Sequence, residues 1–592
     1  MKSQKKLKRS EKAESADFKF KLSDVPFSRK LSYLFIDEGL FGTEAGSEKK
    51  QLRLYRMLRR YPEGTKNEAL MGFRPMVGDR SVPYSISASP SLMEINTEHG
   101  YAQICFDNKD LIRIRGCGIS LRFFSEFKPH EAFVSRLDGT CQASYDIAGQ
   151  FLFAPIKGSL SFESAWDWKK CGSEDAVIDI IADESGAFEM AIHHAQSNAE
   201  RQAYYRPFEE CLDEAQKDYE DWLSMYPSVP GKYERTKKLC AYSVWICFVA
   251  PSGILKGNIV LFSKNSSALS WHQAYHAMAI GRNADAAVKI MRCIFDYQDE
   301  YGELPDLIDD QYLNILATKP PFQGFAFMYM HERMGDEITR EHCETLYEPF
   351  VRWHDWWMTK RDTDHDGIPQ YNQGCESGND FTGMLSKGTP VECPDLISYI
   401  ILLEESLGIL AQRLGKAGEA AVWRSRAKRL LNVLTSEFWD GEKFIARLSG
   451  SHDIVESEEI DCYMPLMLGR RLPSEIVDKL SERLSDPEHY YSEIGLRSSP
   501  KAQTEDKGFP GFVMGFSQIK LSLGLYDAGK KKLARDIICR FLDVNLEQLP
   551  NFAYIENAES KPEGIEFGKC SALSSSIFLA MAGFLNEISR KA

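Results

Sequence analysis

The segment richest in reactive side chains is 361–380, RDTDHDGIPQYNQGCESGND. It gathers Asp362, Asp364, Asp366, Glu376 and Asp380 with several amides and Tyr371, groups suited to reading the hydroxyls of a sugar. Asp362, Asp364, Asp366 and Gly367 imitate the start of a calcium loop, but the twelfth position is Gln373, which lacks the bidentate carboxylate. The spacing argues against an EF-hand, leaves open a calcium held with other loop oxygens, and favours turn chemistry and a rigid loop. Three other segments are polar: Ser270–His276 (SWHQAYH), Gln298–Pro321, and Asn551–Ser576, which holds Glu556, Glu559, Glu563 and Glu566. His272 and His276 stand i, i+4 and could grip a metal from one helix face. No third ligand and no H-E-x-x-H motif accompanies them, so histidines of a core or cleft are expected. Trp271 is a candidate platform for a sugar ring, with core packing as the alternative. One protonated and one ionised carboxyl group, brought together by the fold, would equip such loops to cleave a glycosidic bond. Asp380 also has an ordinary reading, as a helix N-cap before Phe381.

These segments lie between helices. From Tyr233 onward the apolar periodicity is helical, over Tyr233–Ala250, Ala268–Ile280, Ala284–Glu300, Phe322–Met334, Glu337–Thr359, Asp395–Leu414, Glu419–Phe438, Pro473–Leu484, Gln518–Leu525, Lys530–Leu542 and Ser571–Ile588. Leu239–Ala250 is apolar on nearly all sides, as a helix of an inner layer is. Short connections such as Gly281–Asp285 make antiparallel neighbours, and about a dozen such helices can close into a ring of six hairpins. Phe208–Met225 reads as a linker helix that Pro227 and Pro230 end. Before it, Ile112 and Ile114 alternate with Arg113 and Arg115, and Ile119, Leu121 and Phe123 alternate with Ser120 and Arg122. This period of two, with Ala176–Ile181, predicts short strands and a β-sandwich. No carboxylate pair stands out there.

Bulk properties exclude some partners. At 592 residues the chain exceeds a single core, so at least two domains are expected. Its net charge of −14 argues against nucleic acid, whose binding requires neutralised phosphates. The basic run Lys2–Lys12 has no apolar stretch behind it, so residues 1–17 read as a disordered tail rather than a secretory signal. No window is expected to span a membrane. The 14 cysteines are scattered without a C-x-x-C pair, which favours a reducing compartment.

In this order the polar segments resemble the six-hairpin α-glycosidases, most closely glycoside hydrolase family 63, with trehalases as cousins. That family has a D-x-D-x-D-G-[LI]-x-x-Y loop ending in G-W-D; the match is DTDHDGIPQY followed by ESGND. Its Q-P-P helix start matches Lys319-Pro320-Pro321, its E-N-Y motif matches Glu556-Asn557, and its G-L-R-S segment matches Gly495–Ser498. The resemblance covers about residues 207–592. It implies Asp380 as general acid and Glu556 as general base, with Trp271, His272, Gln298, Tyr371, Asn372, Glu376, Asn379 and Arg497 as candidate substrate contacts. The chain departs from the pattern at Asn379, in place of Trp, at Ala558, in place of an aromatic residue, and at Trp271-His272, in place of Trp-Asp.

The expected architecture is a multidomain α and β chain: a basic tail (1–17), an N-terminal antiparallel β-sandwich (18–206), a linker helix (207–230) and an (α/α)6 barrel (231–592). The expected activity is inverting, exo-acting hydrolysis of a small α-glucoside or α-mannoside, in the cytoplasm, with no cofactor or metal and no membrane or nucleic-acid partner. The sequence leaves the oligomeric state open. A phosphorylase on the same barrel and an inactive carbohydrate-binding protein are the alternatives.

Overall fold

A computed structural model describes residues 18–38, 51–57, 70–264, 266–379, 382–501, 511–555, 563–565 and 570–591. The expected tail at 1–17 lies outside them. The chain divides into two compact units, residues 1–221 and 222–592.

The first unit contains two eight-stranded antiparallel sheets. The alternation read at Ile119–Phe123 forms the strand Ser120–Ser125, in which Leu121, Phe123 and Ser125 are buried. Phe123 lies opposite Phe73 of the next strand, with ring centroids 4.9 Å apart, and meets Phe153 of the other sheet edge-on at 5.4 Å. On the other face of that strand Arg122 pairs with Asp179, its cross-strand neighbour, at 2.7 Å. Burying one face and solvating the other sets the register, since a one-residue slip would exchange them.

The helix α1 (Phe208–Ser224) spans the division between the units. At its start Phe208 and Cys211 pack on Cys105 of the strand Tyr101–Asn108.

The second unit is helical. Its α-helices among the described residues are α2 (Glu234–Cys247), α3 (His272–Ala279), α4 (Ala284–Cys293), α5 (Gln323–Met334), α6 (Arg340–Lys360), α7 (Pro394–Arg413), α8 (Ala417–Glu437), α9 (Ser474–Leu484), α10 (Gly515–Asp527), α11 (Lys531–Asp543) and α12 (Ala572–Lys591). A 3-10 segment, Ile460–Arg471, takes the place of a helix between α8 and α9. Six elements pack each on the next: α3 on α5, α5 on α7, α7 on the 3-10 segment, that segment on α10, α10 on α12, and α12 back on α3. Each remaining helix, α2, α4, α6, α8, α9 and α11, packs on one of these six. Burial follows the sequence: α7 buries residues all round and α2 buries every residue from Leu239 to Cys247, whereas α8 buries only Ala420, Trp423, Ala427, Leu430 and Leu434, a single stripe at three- and four-residue spacing.

Three local expectations change. Ala268–Leu269 is a strand, and the helix begins only at His272. The helix expected over Ala284–Glu300 stops at Cys293 and continues as a 3-10 turn to Tyr297. Ile460–Arg471 had no helical reading, because Pro465 and Gly469, at φ +58°, interrupt its pattern. One helix also meets the length and composition of a membrane span, Ala572–Arg590 at mean hydropathy 1.3, but 83% of that window is buried within the protein. Hydrophobicity on every side is what an inner helix requires.

Candidate active site

Trp271 precedes α3, Asp395 and Tyr399 lie in the first turns of α7, Asp461 opens the 3-10 segment, and Phe516 and Lys520 lie in the first half of α10. Each lies in or next to an element of the cyclic arrangement, and Tyr371, Asn379 and Thr382 reach two of these side chains. Tyr371 donates its hydroxyl to Asp395 at 2.9 Å, and Asn379 donates its amide to Asp461 at 2.8 Å. Thr382 also hydrogen-bonds to Asp461. Lys520 donates to the Tyr399 hydroxyl at 2.5 Å and sits 5.7 Å from the Trp271 ring centroid. Trp271, Tyr371, Asn379, Asp395, Tyr399, Asp461 and Lys520 are all buried.

Two carboxyl groups and one ammonium are thus buried within electrostatic reach of one another. Burial, reinforced by Asp461, pushes Asp395 up to about 7, against the Tyr371 hydroxyl and Lys520. Burial also raises Asp461, while Thr382, Asn379 and Lys520 pull it back. Burial lowers Lys520 to about 8, and the two aspartates oppose that fall. Each charge is tolerated because its opposite is beside it.

Trp271 is held from several sides. Tyr275, Phe516 and Phe322 lie 5.5, 5.8 and 6.3 Å from it, and Gly378 presses its backbone against the indole. Gly378 is left-handed at φ +73°, and a Cβ there would fall 2.4 Å from Trp271 Cη2, so glycine is required on both counts. Trp271 Nε1, the Tyr275 hydroxyl and Asp395 Oδ1 are buried with no hydrogen-bond partner among the described residues. Polar atoms of this kind are suited to a ligand rich in hydroxyl groups.

The late polar segment approaches the same cluster. The strand Ala553–Ile555 pairs with Val513–Met514, which runs directly into α10, and with Glu563–Ile565. Phe552 lies 6.1 Å from Phe516, which in turn contacts Trp271. Asp380 and Glu556 themselves lie outside the described residues, as do Ala558, Glu559, Glu566 and the side chain of Glu563. Their chain neighbours Asn379 and Ile555 are described, and both belong to this region.

The other sequence candidates separate. His272 is buried beside Trp271, and its burial, with His276 and Lys319 nearby, lowers it well below the usual histidine range. His276 bonds to Ser576 at 2.8 Å as a core residue. Gln298 donates to the Gly302 and Pro349 carbonyls, and Arg497 to those of Pro487 and Tyr491. Glu376 accepts twice from Arg361, at 3.1 and 2.7 Å, and once from the Asn372 N–H at 2.6 Å. The Asn372 side chain accepts from Gln370, and the residue is exposed. These contacts are internal braces of loops. Sequence reading missed Asp395, Asp461 and Lys520. The signal available was a lone charge in an apolar run, as in PDLISYIILL and GFSQIKLSLGL.

A second cluster joins the aspartate-rich loop to residues far along the chain. Ligand atoms of Asp364, Asp366, Glu392 and His452 lie within 4.8 Å of one another and could hold a cation. Arg447 already pairs with Asp366 at 3.1 Å and with Glu392 at 2.5 Å, supplying positive charge there. A cavity of about 280 Å³, lined by Tyr329, Arg333, Asp527 and Glu587 among others, lies at the opposite ends of α5, α10 and α12, and includes none of the buried cluster.

Residues 265–505 match the model of the mannosylglycerate hydrolase MGH1-like glycoside hydrolase domain. Among solved structures, the GH63 mannosylglycerate hydrolase from Thermus thermophilus in complex with Tris aligns at 14% identity over 59% of this chain and 99% of its own, with a TM-score of 0.47. Its complex with glucose aligns at 16% identity over the same shares, at 0.48. An uncharacterized conserved protein from the same organism aligns at 16% identity over 62% of this chain and 98% of its own, at 0.46.

Proposed function

We propose that this chain, a glycoside hydrolase of the six-hairpin, mannosylglycerate hydrolase-like kind, is an inverting exo-acting α-glycosidase with Asp380 as general acid and Glu556 as general base. Its substrate is a small α-glucoside or α-mannoside, a disaccharide, oligosaccharide or glycosyl-glycerate, cleaved in the cytoplasm. The helical unit is read as an (α/α)6 barrel, which the cyclic packing of its six inner elements supports, and the two sheets as a β-sandwich. The catalytic reading rests on one observation. The chain entering Asp380 from Asn379 and the chain entering Glu556 from Ile555 are both anchored around Trp271, Phe516 and α10. The described neighbours of two motifs widely separated in sequence thus lie about the same side chains, which supports the reading.

In this reading Asp380 gives its proton to the glycosidic oxygen as the bond to the sugar breaks. Glu556, ionised, takes a proton from a water that attacks the anomeric carbon from the opposite face. Room for that water sets the two carboxyl groups roughly 6.5–9.5 Å apart, against about 5–5.5 Å for a retaining enzyme. Trp271, with the Tyr275 hydroxyl and Asp395 Oδ1 beside it, holds the sugar. Proton NMR of the first turnovers of an α-glycoside tests the mechanism: β-anomer is expected first. Initial α-anomer would remove Glu556 from the role of water-activating base.

A further inference from the structure

We propose that Asp461 is a positioning residue for the acid: it holds Asn379 and Thr382, the described residues on either side of Asp380. The proposal rests on the reading of Asp380 as general acid. Asn379 immediately precedes Asp380, and Thr382 follows it by two residues. Asn379 donates its amide to Asp461 Oδ2 at 2.8 Å, and Thr382 hydrogen-bonds to the same carboxylate. The Thr382 N–H donates to the Asn379 carbonyl at 3.0 Å, which ties the two anchor residues to each other. Ser377 completes the entry side, receiving the Asn379 N–H at 3.0 Å and donating to its carbonyl at 3.1 Å.

The chemistry calls for a carboxylate at 461. Two donors from separate side chains converge on it, and a carboxylate offers acceptor oxygens to both without presenting a donor of its own. It belongs to an element that packs on both α7 and α10, so Asn379 and Thr382 are tied to the cyclic packing rather than to another loop. Lys520 of α10 supplies the compensating charge. The family pattern places a tryptophan at position 379. Here the residue is an amide, buried and committed to Asp461, which gives the substitution a mechanical role in orienting the acid.

The test separates orientation of the acid from general damage by the leaving group. An α-glycosyl fluoride departs without protonation, whereas an alkyl α-glycoside needs the acid. Asp461→Asn is compared with wild type on both, in the gluco or manno series that the enzyme turns over, with Asp380→Asn in parallel. The expected result is a kcat for the alkyl glycoside lower by roughly ten- to a hundredfold, the loss that a displacement near 1 Å can cause. KM and the fluoride rate should stay within about threefold. Thr382→Val and Asn379→Ala, which each remove one anchor and leave Asp461 intact, should show the same pattern more weakly, and Thr382→Ser should restore it. Equal losses on both substrates, or no loss on either, in these variants would overturn the proposal. If Asp380→Asn itself fails to discriminate between the substrates, the acid assignment falls. If Asp380→Asn discriminates and the Asp461, Asn379 and Thr382 variants do not, the positioning role alone is refuted.

Discussion

Gly378 offers the sharpest perturbation of the contact between Trp271 and the acid segment. In Gly378→Ala the new Cβ would lie 2.4, 2.7 and 2.9 Å from Cη2, Cζ2 and Cζ3 of Trp271, at a backbone φ of +73°. The left-handed conformation costs a non-glycine residue about 1–2 kcal/mol. Overpacking adds roughly 1–3 kcal/mol, since Tyr275, Phe322 and Phe516 enclose the indole and restrict its retreat. A loss of about 2–5 kcal/mol in stability is expected. The backbone next to Asn379 can relieve part of that strain only by moving, so kcat on an alkyl α-glycoside should fall roughly ten- to a hundredfold. Gly415→Ala is the control: its φ is +82°, but nothing lies within 4 Å of the added Cβ, so it carries the conformational cost without the clash. Steady-state kinetics and chemical unfolding of both variants supply the comparison. A Gly378→Ala enzyme with wild-type kcat would show that the packing of Trp271 on this backbone does not govern catalysis.

Other variants test the surrounding charges. Asp395 is raised to about 7 in the folded protein, against about 3.9 unfolded, so the folded state holds its proton more tightly. Its favourable contribution is complete below pH 4 and lost as pH rises through 7, at most about 4 kcal/mol; unfolding of Asp395→Asn across pH 4–8 should show a correspondingly flatter profile, and parallel curves would reject the shift. Glu376→Gln removes a fully buried partner of Arg361 and should cost about 3 kcal/mol, read by thermal unfolding. Asn379→Trp should lower both stability and turnover of alkyl glycosides, because Asn379 is buried against Asp461; a variant that only re-ranks aglycones would place this side chain in the leaving-group site instead.

The sequence alone determined the character of each region. Period-two alternation at Ile119–Phe123 and a heptad-like stripe in α8 follow from which face of a strand or helix must be dry, a property local to the segment. The match to a glycoside hydrolase domain likewise runs along one stretch of chain, residues 265–505. Side-chain roles were less legible. Glu376 and Gln298 have the composition of sugar contacts, yet one is held by Arg361 and the other by backbone carbonyls. Asp395 and Lys520 each read as an isolated charge in an apolar stretch, and Asp461 as the end of an acidic run, since their partners come from other elements of the cyclic packing. The segment that carries Asp461 was invisible as a helix because Pro465 and Gly469 break its periodicity, and its place is stabilised by packing on α7 and α10. Local periodicity fixes which face is apolar, but only tertiary structure brings opposite charges within reach, and burial makes their pairing decisive.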